Sequence, residues 1–333
     1  MTSCGANRFF SAEYSLPPKP FLGVFDSGVG GLSVLARFLD RLPGENYVYV
    51  GDSCHAPYGD RTPAELFELG GSISLWLKDK GAKAIVLACN TISSTLIAEI
   101  RSLLAPLPVY SILEAGVMAA VLSTKSQKIG IIATATTTNS QSFAKGIRDH
   151  LPEAELTSVA CPAFVPLVEK GLVATQEAAK AVEEICSHFS GKNIDTLLLG
   201  CTHYPALIPL FRKHLHEDVM IVDPAEYYAE MVAADLYQAQ SLHGKIPAAN
   251  YSDSDLSGLD SYSEVLSPAN AQSSDFGKRI FLTTGDHEQF KESGALLFGR
   301  VPDPVFRIDY SEIKVFSPLS TARGLALAKQ ITK

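Results

Sequence analysis

Two apolar runs in this chain end on a cysteine: Ala84-Ile-Val-Leu-Ala-Cys89 and Thr196-Leu-Leu-Leu-Gly-Cys201. Each reads as a buried strand, and each is followed by hydrogen-bonding residues where a helix should begin. The same rhythm, a short apolar run, a small-residue turn and then a helical pattern, recurs along the chain. Phe21–Phe25 gives a first strand, then a glycine turn, then apolar positions at Leu32, Leu35, Phe38 and Leu39 until Pro43-Gly44. Tyr47–Val50 is a second strand and Ala84–Ala88 a third. Between them Thr62, with Pro63 after it and Glu65 three residues on, forms a capping box that opens a helix ending before Gly81. Gly70 and Gly71 inside that helix each cost about 1 kcal/mol against Ala, which implies close packing on their face.

A second series follows: a strand at Lys128–Ile132, a Thr-rich turn at Thr134–Thr138, an amphipathic helix from about Gln176 to Phe189, and the strand Thr196–Leu199. Alternation of this kind predicts parallel sheets with helices on both faces. Gly23 and Gly130 stand at similar distances ahead of the two cysteines, so the chain reads as two related α/β units. After Asp223-Pro224 a helix runs to about Tyr237. Residues 239–275 are Ser-, Ala-, Asp- and Asn-rich without periodicity and read as a surface insertion. Order resumes at Arg279–Thr283, and Thr321–Ile331 has the spacing of a last amphipathic helix.

Composition narrows the function. The 333 residues suffice for two domains, and an apolar fraction of 46% allows a proper core. A net charge of −8 argues against nucleic acid as a main partner. No run of about 18 apolar residues marks a membrane span. Met1–Pro20 lacks a signal-peptide pattern and reads as a loose lead-in. The six cysteines, Cys4, Cys54, Cys89, Cys161, Cys186 and Cys201, are scattered without a CxxC pair, and the expectation is reduced thiols in a cytoplasmic protein.

In open α/β sheets ligands bind beyond the carboxyl ends of strands. Four blocks fall there: Asp26-Ser27, Cys89-Asn90-Thr91, Thr134–Thr138 and Cys201-Thr202-His203. The turn Asp26-Ser-Gly-Val-Gly-Gly31 is not a dinucleotide fingerprint, because Ser33 stands where a third glycine is needed. It is not a P-loop either, since the Gly-Lys-Ser/Thr ending is absent. A purely structural turn and a carboxylate site both remain open. A cysteine at the start of a helix has a lowered pKa and faces a ligand. Asn90, Thr91 and Thr202 can bind carboxylates, and His203 can polarise Cys201. Zinc binding by Cys89, Cys201 and His203 is a rival, but the spacing matches no familiar zinc site. Two thiols across one pocket suit inversion of a carbon centre, which needs a base on one face and an acid on the other.

The blocks Gly23-Val-Phe-Asp-Ser-Gly-Val-Gly-Gly31, Pro57-Tyr-Gly59, Cys89-Asn-Thr91, Cys161-Pro-x-Phe-Val-Pro-x-Val-Glu169-x-Gly171 and Gly200-Cys-Thr-His-Tyr-Pro205 together resemble the glutamate racemases, in that order. Phe281-Leu-Thr-Thr-Gly-Asp286 resembles that family's C-terminal motif. The resemblance runs from about residue 21 to 315, outside the insertion. It implies an α/β fold of two pseudo-symmetric doubly wound parallel-sheet domains with the active site between them. The expected division is an N-terminal extension over 1–20, a first domain from 21–113 plus 222–333, and a second from 114–221. It also implies cofactor-independent, metal-free interconversion of L- and D-glutamate, supplying D-glutamate for peptidoglycan, by a cytoplasmic homodimer whose partner is a small-molecule substrate, not nucleic acid or membrane.

By the same resemblance Cys89 serves the D-enantiomer and Cys201 the L-enantiomer, with Asp26, Glu169 and His203 as assisting acid-base groups. The implied substrate contacts are Asp26, Ser27, Tyr58, Gly59, Asn90, Thr91, Thr137, Thr202 and His203. Cys54-His55 departs from the family's small residue and Arg, and Ala133-Thr134 from its Gly-Thr. The pair Cys54-His55 is expected to be a packed structural one. An aspartate racemase is the nearest alternative, although its second motif carries an acidic residue where this chain has His203. A Cys-His hydrolase would leave Cys89 unexplained, and a non-catalytic amino-acid binder would tolerate loss of either thiol.

Overall fold

The computed structural model describes residues 14–18, 20–239, 276–298 and 302–332. The first strand, β1 (Phe21–Asp26), is buried at every position, which is why its sequence shows a continuous apolar run and not an alternation. It lies inside a six-stranded parallel sheet of order β10-β9-β2-β1-β3-β4. The other strands are β2 (Tyr47–Gly51), β3 (Ala82–Leu87), β4 (Val109–Ser111), β9 (Arg279–Thr283) and β10 (Val305–Arg307). A second parallel sheet has the order β6-β5-β7-β8, from β5 (Lys128–Ala133), β6 (Glu155–Ala160), β7 (Thr196–Gly200) and β8 (Met220–Val222). The run β2-β1-β3-β4 and the whole second sheet therefore share one topology. β3 corresponds to β7 and β1 to β5, the pairing drawn from the two cysteine runs and the two glycines.

Helices cover both faces of each sheet, in four apolar clusters. On the first sheet, α1 (Gly31–Arg41) and α10 (Pro224–Gln238) close one face, and α2 (Pro63–Lys80) and α3 (Asn90–Leu104) the other. On the second, α7 (Phe164–Glu169), α8 (Gln176–Ser187) and α9 (Ile208–His214) lie opposite α4 (Ile112–Ser123) and α6 (Ser142–His150). The short α5 (Ala135–Ser140) follows β5, α11 (His287–Phe298) follows β9, and α12 (Tyr310–Lys314) and α13 (Ala322–Ile331) finish the chain. Among the described residues no helix is long and apolar enough to cross a membrane.

Local chemistry accounts for the element ends. The Thr62 hydroxyl accepts the Glu65 N–H at 3.3 Å while the Glu65 carboxylate accepts the Thr62 N–H at 2.9 Å, the expected capping box. The helix stops at Gly81, whose φ of 101° only glycine adopts readily. Gly70 and Gly71 do mark close packing: a Cβ would stand 2.8 Å from Ile92 of α3 and 2.8 Å from Pro318 respectively.

Two expectations need correction. The stretch before β1 is not loose where it is described, because Tyr14 and Leu16 have apolar surface to bury and pack on the core beneath α2. Tyr14 lies 6.1 Å from Phe306, ring to ring. Nor are all the thiols reduced, since Cys54 is disulfide-bonded. Cys89, Cys161, Cys186 and Cys201 are free and buried. The expected surface insertion lies outside the described residues except for Ala239, as does the extension before Tyr14.

Replacing Thr62 by Ala removes the hydroxyl half of the capping box and leaves the backbone N–H that the Glu65 carboxylate accepts. Its chemical-denaturation midpoint should fall by an amount corresponding to about 1 kcal/mol. Glu65→Gln, which keeps the reciprocal acceptor, should lose less.

Candidate active site

Register places the strand ends side by side. Asp26 pairs with Gly51 and Phe25 with Leu87 in the first sheet, and Ala133 pairs with both Ala160 and Gly200 in the second. The residues that follow these ends face one another across a cleft of about 610 Å³, open mouth included. From the first sheet come Ser27, Tyr58, Gly59, Cys89, Asn90 and Thr91. From the second come Thr134, Cys161, Cys201, Thr202 and His203. Nine of the expected site residues thus meet around one space. Asp26, Glu169 and Thr137 do not line it and stand behind residues that do.

The glycine turn resolves into a docking surface. A Cβ on Gly30 would overlap the Thr202 hydroxyl and the His203 ring, and a Cβ on Gly28 would stand 2.9 Å from Glu169 Oε1. The turn is glycine-rich because the other half of the molecule comes against its backbone. Ser33 Oγ donates to the Thr202 carbonyl at 3.2 Å, and the Thr202 hydroxyl donates to Asp26 Oδ2 at 3.4 Å. Asp26 Oδ1 accepts the Gly28 N–H at 3.0 Å. Complete burial raises the Asp26 pKa, although His203 and the N–H groups of Gly28 and Gly31 pull it down.

His203 is the centre of a three-residue line. Its Nδ1 lies 3.7 Å from Cys201 Sγ, and its Nε2 lies 2.6 Å from Glu169 Oε1. Burial alone favours the neutral ring, but Cys201 and Glu169, one at each nitrogen, outweigh it and raise the His203 pKa well above the ordinary histidine range. Glu169 ends α7 and its carbonyl accepts from Ser293 Oγ at 3.3 Å.

Cys89 occupies the N-cap of α3, the position read from the sequence. Its expected low pKa is not found. Burial, followed by the charge of Asp26, pushes the thiol up to about 12, against the opposing pull of the Ile92 N–H and the Ser27 hydroxyl. The helix-start rule holds for an exposed thiol, and this one is only 4% exposed. Cys201 differs in its surroundings: Pro205 and Pro209 follow it, and the chain makes a 3-10 turn over Tyr204–Leu207 before α9 begins.

Asn90 is 3% exposed, lines the cleft, and neither its Oδ1 nor its Nδ2 finds a partner among the described residues. Lining the cleft, this amide is placed to hydrogen-bond a polar ligand there.

Some participants escaped sequence reading. Asp52, fully buried just past β2, accepts from Tyr58 at 2.5 Å and from Thr284 at 2.6 Å, and sits 2.8 Å from His55 Nδ1. It obeys the same strand-end rule as Asp26 and could have been found by it. Cys54 and His55 do not line the cleft. The His55 ring packs 4.5 Å from Tyr310 and the Cys54 N–H bonds Thr284 Oγ1 at 3.1 Å, as a packed pair would. Cys161, Pro162, Val165 and Pro166 form an apolar wall. Among the described residues no group of three or more His, Cys, Asp or Glu side chains is arranged to hold a metal ion.

Comparison with known proteins agrees with this geometry. A family profile described as Asp/Glu/Hydantoin racemase matches residues 46–232. Glutamate racemase 2 of Caldanaerobacter subterraneus subsp. tengcongensis is 37% identical over 289 residues, covering 86% of this chain and 97% of that protein. A glutamate racemase from Bacillus anthracis superposes with a TM-score of 0.75 at 30% identity, over 87% of this chain and 98% of the other. The Francisella tularensis glutamate racemase, solved in complex with D-glutamate, gives a TM-score of 0.73 at 28% identity, over 88% and 98%.

Two outcomes are expected. Gly30→Ala displaces Thr202 and His203, and a misplacement of that size should lower turnover about 10²-fold; unchanged turnover would show that the turn does not position His203. The His203 pKa, raised on folding, adds stability that is complete below pH about 6.5 and declines as pH rises toward the folded value. Thermal melting of wild type and His203→Gln should therefore differ most near pH 6, with the gap narrowing toward pH 9.

Proposed function

The chain belongs to the Asp/Glu/hydantoin racemase family, and from that premise we propose that it interconverts L- and D-glutamate by a two-thiol acid-base mechanism needing no cofactor. The observation that carries this reading is the placement of Cys89 and Cys201, at topologically equivalent strand ends, on one cleft. Glutamate as substrate is supported by the relatives' names and by D-glutamate bound in the Francisella tularensis protein.

In this scheme one sulfur, as thiolate, removes the α-proton while the other, as thiol, returns a proton to the opposite face. One S–H bond is made and one broken per turnover, so the enzyme finishes with its proton on the other cysteine. Cys89, held protonated by burial and Asp26, is the resting acid and serves the D-enantiomer. Cys201, 3.7 Å from His203 Nδ1, serves the L-enantiomer. Glu169 keeps that imidazole charged and oriented, and Asp26 sets the field at Cys89. Ser27, Tyr58, Gly59, Asn90, Thr91, Thr202 and His203 contact the substrate, with the unpartnered Asn90 amide binding one of its carboxylates. The division into 21–113 plus 222–333 and 114–221, a homodimeric cytoplasmic state and supply of D-glutamate for peptidoglycan belong to the same reading.

The test incubates each pure enantiomer in deuterated water and follows optical rotation and mass together. Loss of rotation is expected, with one deuterium at the α-carbon of the product. Retained rotation without deuterium would sink the proposal. Cys89→Ser and Cys201→Ser should each slow racemisation about 10²-fold or more; full activity in Cys201→Ser would defeat the two-thiol assignment. Aspartate run in parallel decides against or for the nearest alternative.

A further inference from the structure

Glycines have no side chain to hold a turn in place, so Gly28, Gly30 and Gly31 leave the turn after β1 to its hydrogen bonds. Two of its carbonyls belong to the start of α1: Val29 O accepts the Leu32 N–H at 3.0 Å and Gly30 O accepts the Ser33 N–H at 3.1 Å. The Gly28 carbonyl comes one residue earlier. Its donor is the Tyr49 hydroxyl, at 2.7 Å. The direction of this bond is fixed, because a phenol carries a proton and a carbonyl does not.

Tyr49 belongs to β2, pairs with Val24 of β1 and is fully buried. Phe281 and Phe290 pack on its ring, with centroids 6.4 and 6.1 Å away. Neighbouring glycines make room for its tip. A Cβ on Gly31 would stand 2.7 Å from Tyr49 Oη and overlap Asp26, and one on Gly51 would stand 2.7 Å from the Gly28 carbonyl oxygen. Burial first, then the charges of Asp26, Glu169 and Cys89, push the Tyr49 pKa well above the ordinary tyrosine range, so the hydroxyl keeps its proton and remains a donor. Gly28 is therefore gripped twice, its N–H by Asp26 Oδ1 at 3.0 Å and its carbonyl by Tyr49. The same residue meets Glu169, and two residues on Gly30 receives Thr202 and His203.

We propose that Tyr49 is a positioning residue for racemisation, whose hydroxyl fixes the Gly28 carbonyl and so keeps Asp26 and the glycine turn seated against Glu169, Thr202 and His203. Without the hydroxyl the carbonyl is buried with no donor, and a turn this rich in glycine shifts to find one. The shift moves the surface on which His203 rests, and with it the 3.7 Å approach of Nδ1 to Cys201 Sγ. Tyr58, Gly59, Asn90 and Thr91 line the cleft from other segments, so substrate binding suffers less than turnover. The proposal rests on the racemase reading for the reaction.

The same strand supplies a control. Tyr47, two residues earlier and on the same face of β2, is also fully buried. Its hydroxyl lies 3.0 Å from Phe38 O and 2.9 Å from Leu42 O, at the end of β2 away from the cleft. The experiment compares wild type, Tyr49→Phe, Tyr47→Phe and Gly51→Ala by thermal melting and by steady-state racemisation of L- and D-glutamate. Both Phe variants should melt below wild type. Tyr49→Phe should lose kcat about tenfold in both directions, with KM within about twofold, whereas Tyr47→Phe should keep wild-type kcat. Gly51→Ala, whose Cβ presses on the Gly28 carbonyl, should reproduce the kcat loss. An unchanged kcat in Tyr49→Phe, an equal loss in Tyr47→Phe, or a change confined to KM would each overturn the proposal. If Tyr49→Phe does not fold, Gly51→Ala decides alone, and an unchanged kcat there overturns it. An active wild type with an unaffected Tyr49→Phe refutes this proposal only. Wild type that racemises neither enantiomer refutes the racemase reading and this proposal with it.

Discussion

The molecule depends on one constraint: two parallel sheets meet with their carboxyl ends facing, so polar strand ends are buried against each other. Buried polar groups need partners, and here the partners come from the opposite half. Thr202 bonds Asp26, Ser33 bonds the Thr202 carbonyl, and the Thr136 hydroxyl and N–H both bond the Gly59 carbonyl. Gly28 and Gly30 permit that approach by presenting no Cβ where Glu169, Thr202 and His203 must sit. The Asn90 amide, without a partner among the described residues, lies in the cleft itself.

Matching topology does not produce matching chemistry. β3 and β7 occupy equivalent places, but α3 begins immediately at Cys89 whereas Pro205 and Pro209 delay α9 behind Cys201. The delay makes a turn in which His203 can reach back to the sulfur two residues before it. At the end of β1 the chain has Asp26, and at the equivalent end of β5 it has Ala133. One thiol is therefore surrounded by a buried carboxylate and the other by an imidazolium.

Much of this was legible in the residues. Continuous apolar runs revealed the central strands, the Thr62–Glu65 spacing gave the start of α2, and the strand-end rule brought Ser27, Cys89, Asn90, Thr91, Cys201, Thr202 and His203 to one cleft, where Tyr58 and Gly59, named by the resemblance, join them. Misreadings arose where long-range packing overrides a local rule. A cysteine at a helix start predicts an acidified thiol, but burial and Asp26 reverse the sign at Cys89. The pairing of Cys54 was invisible because spacing alone cannot show which cysteines meet. Asp52 stands just past a strand end, as Asp26 does, and that rule marks it; only the convergence of Tyr58, His55 and Thr284 on its carboxylate is absent from the local sequence.

The raised pKa of Cys89 looks unfavourable for a group that must act as a base in one direction. On the two-thiol reading it is only half of a pair. A proton that leaves substrate for one sulfur is replaced by a proton from the other, so the cleft begins and ends each turnover with one negative sulfur, and what matters is the difference between the two sites, not either value alone. Both sulfurs are buried, with Cys89 4% and Cys201 7% exposed, but their charged neighbours differ. The difference is Asp26 against one thiol and the His203–Glu169 pair against the other. Those three side chains meet where the glycine turn of one sheet touches the Thr202–His203 segment of the other. The contact that closes the two halves together is thus the same contact that gives the two sulfurs different charged neighbours.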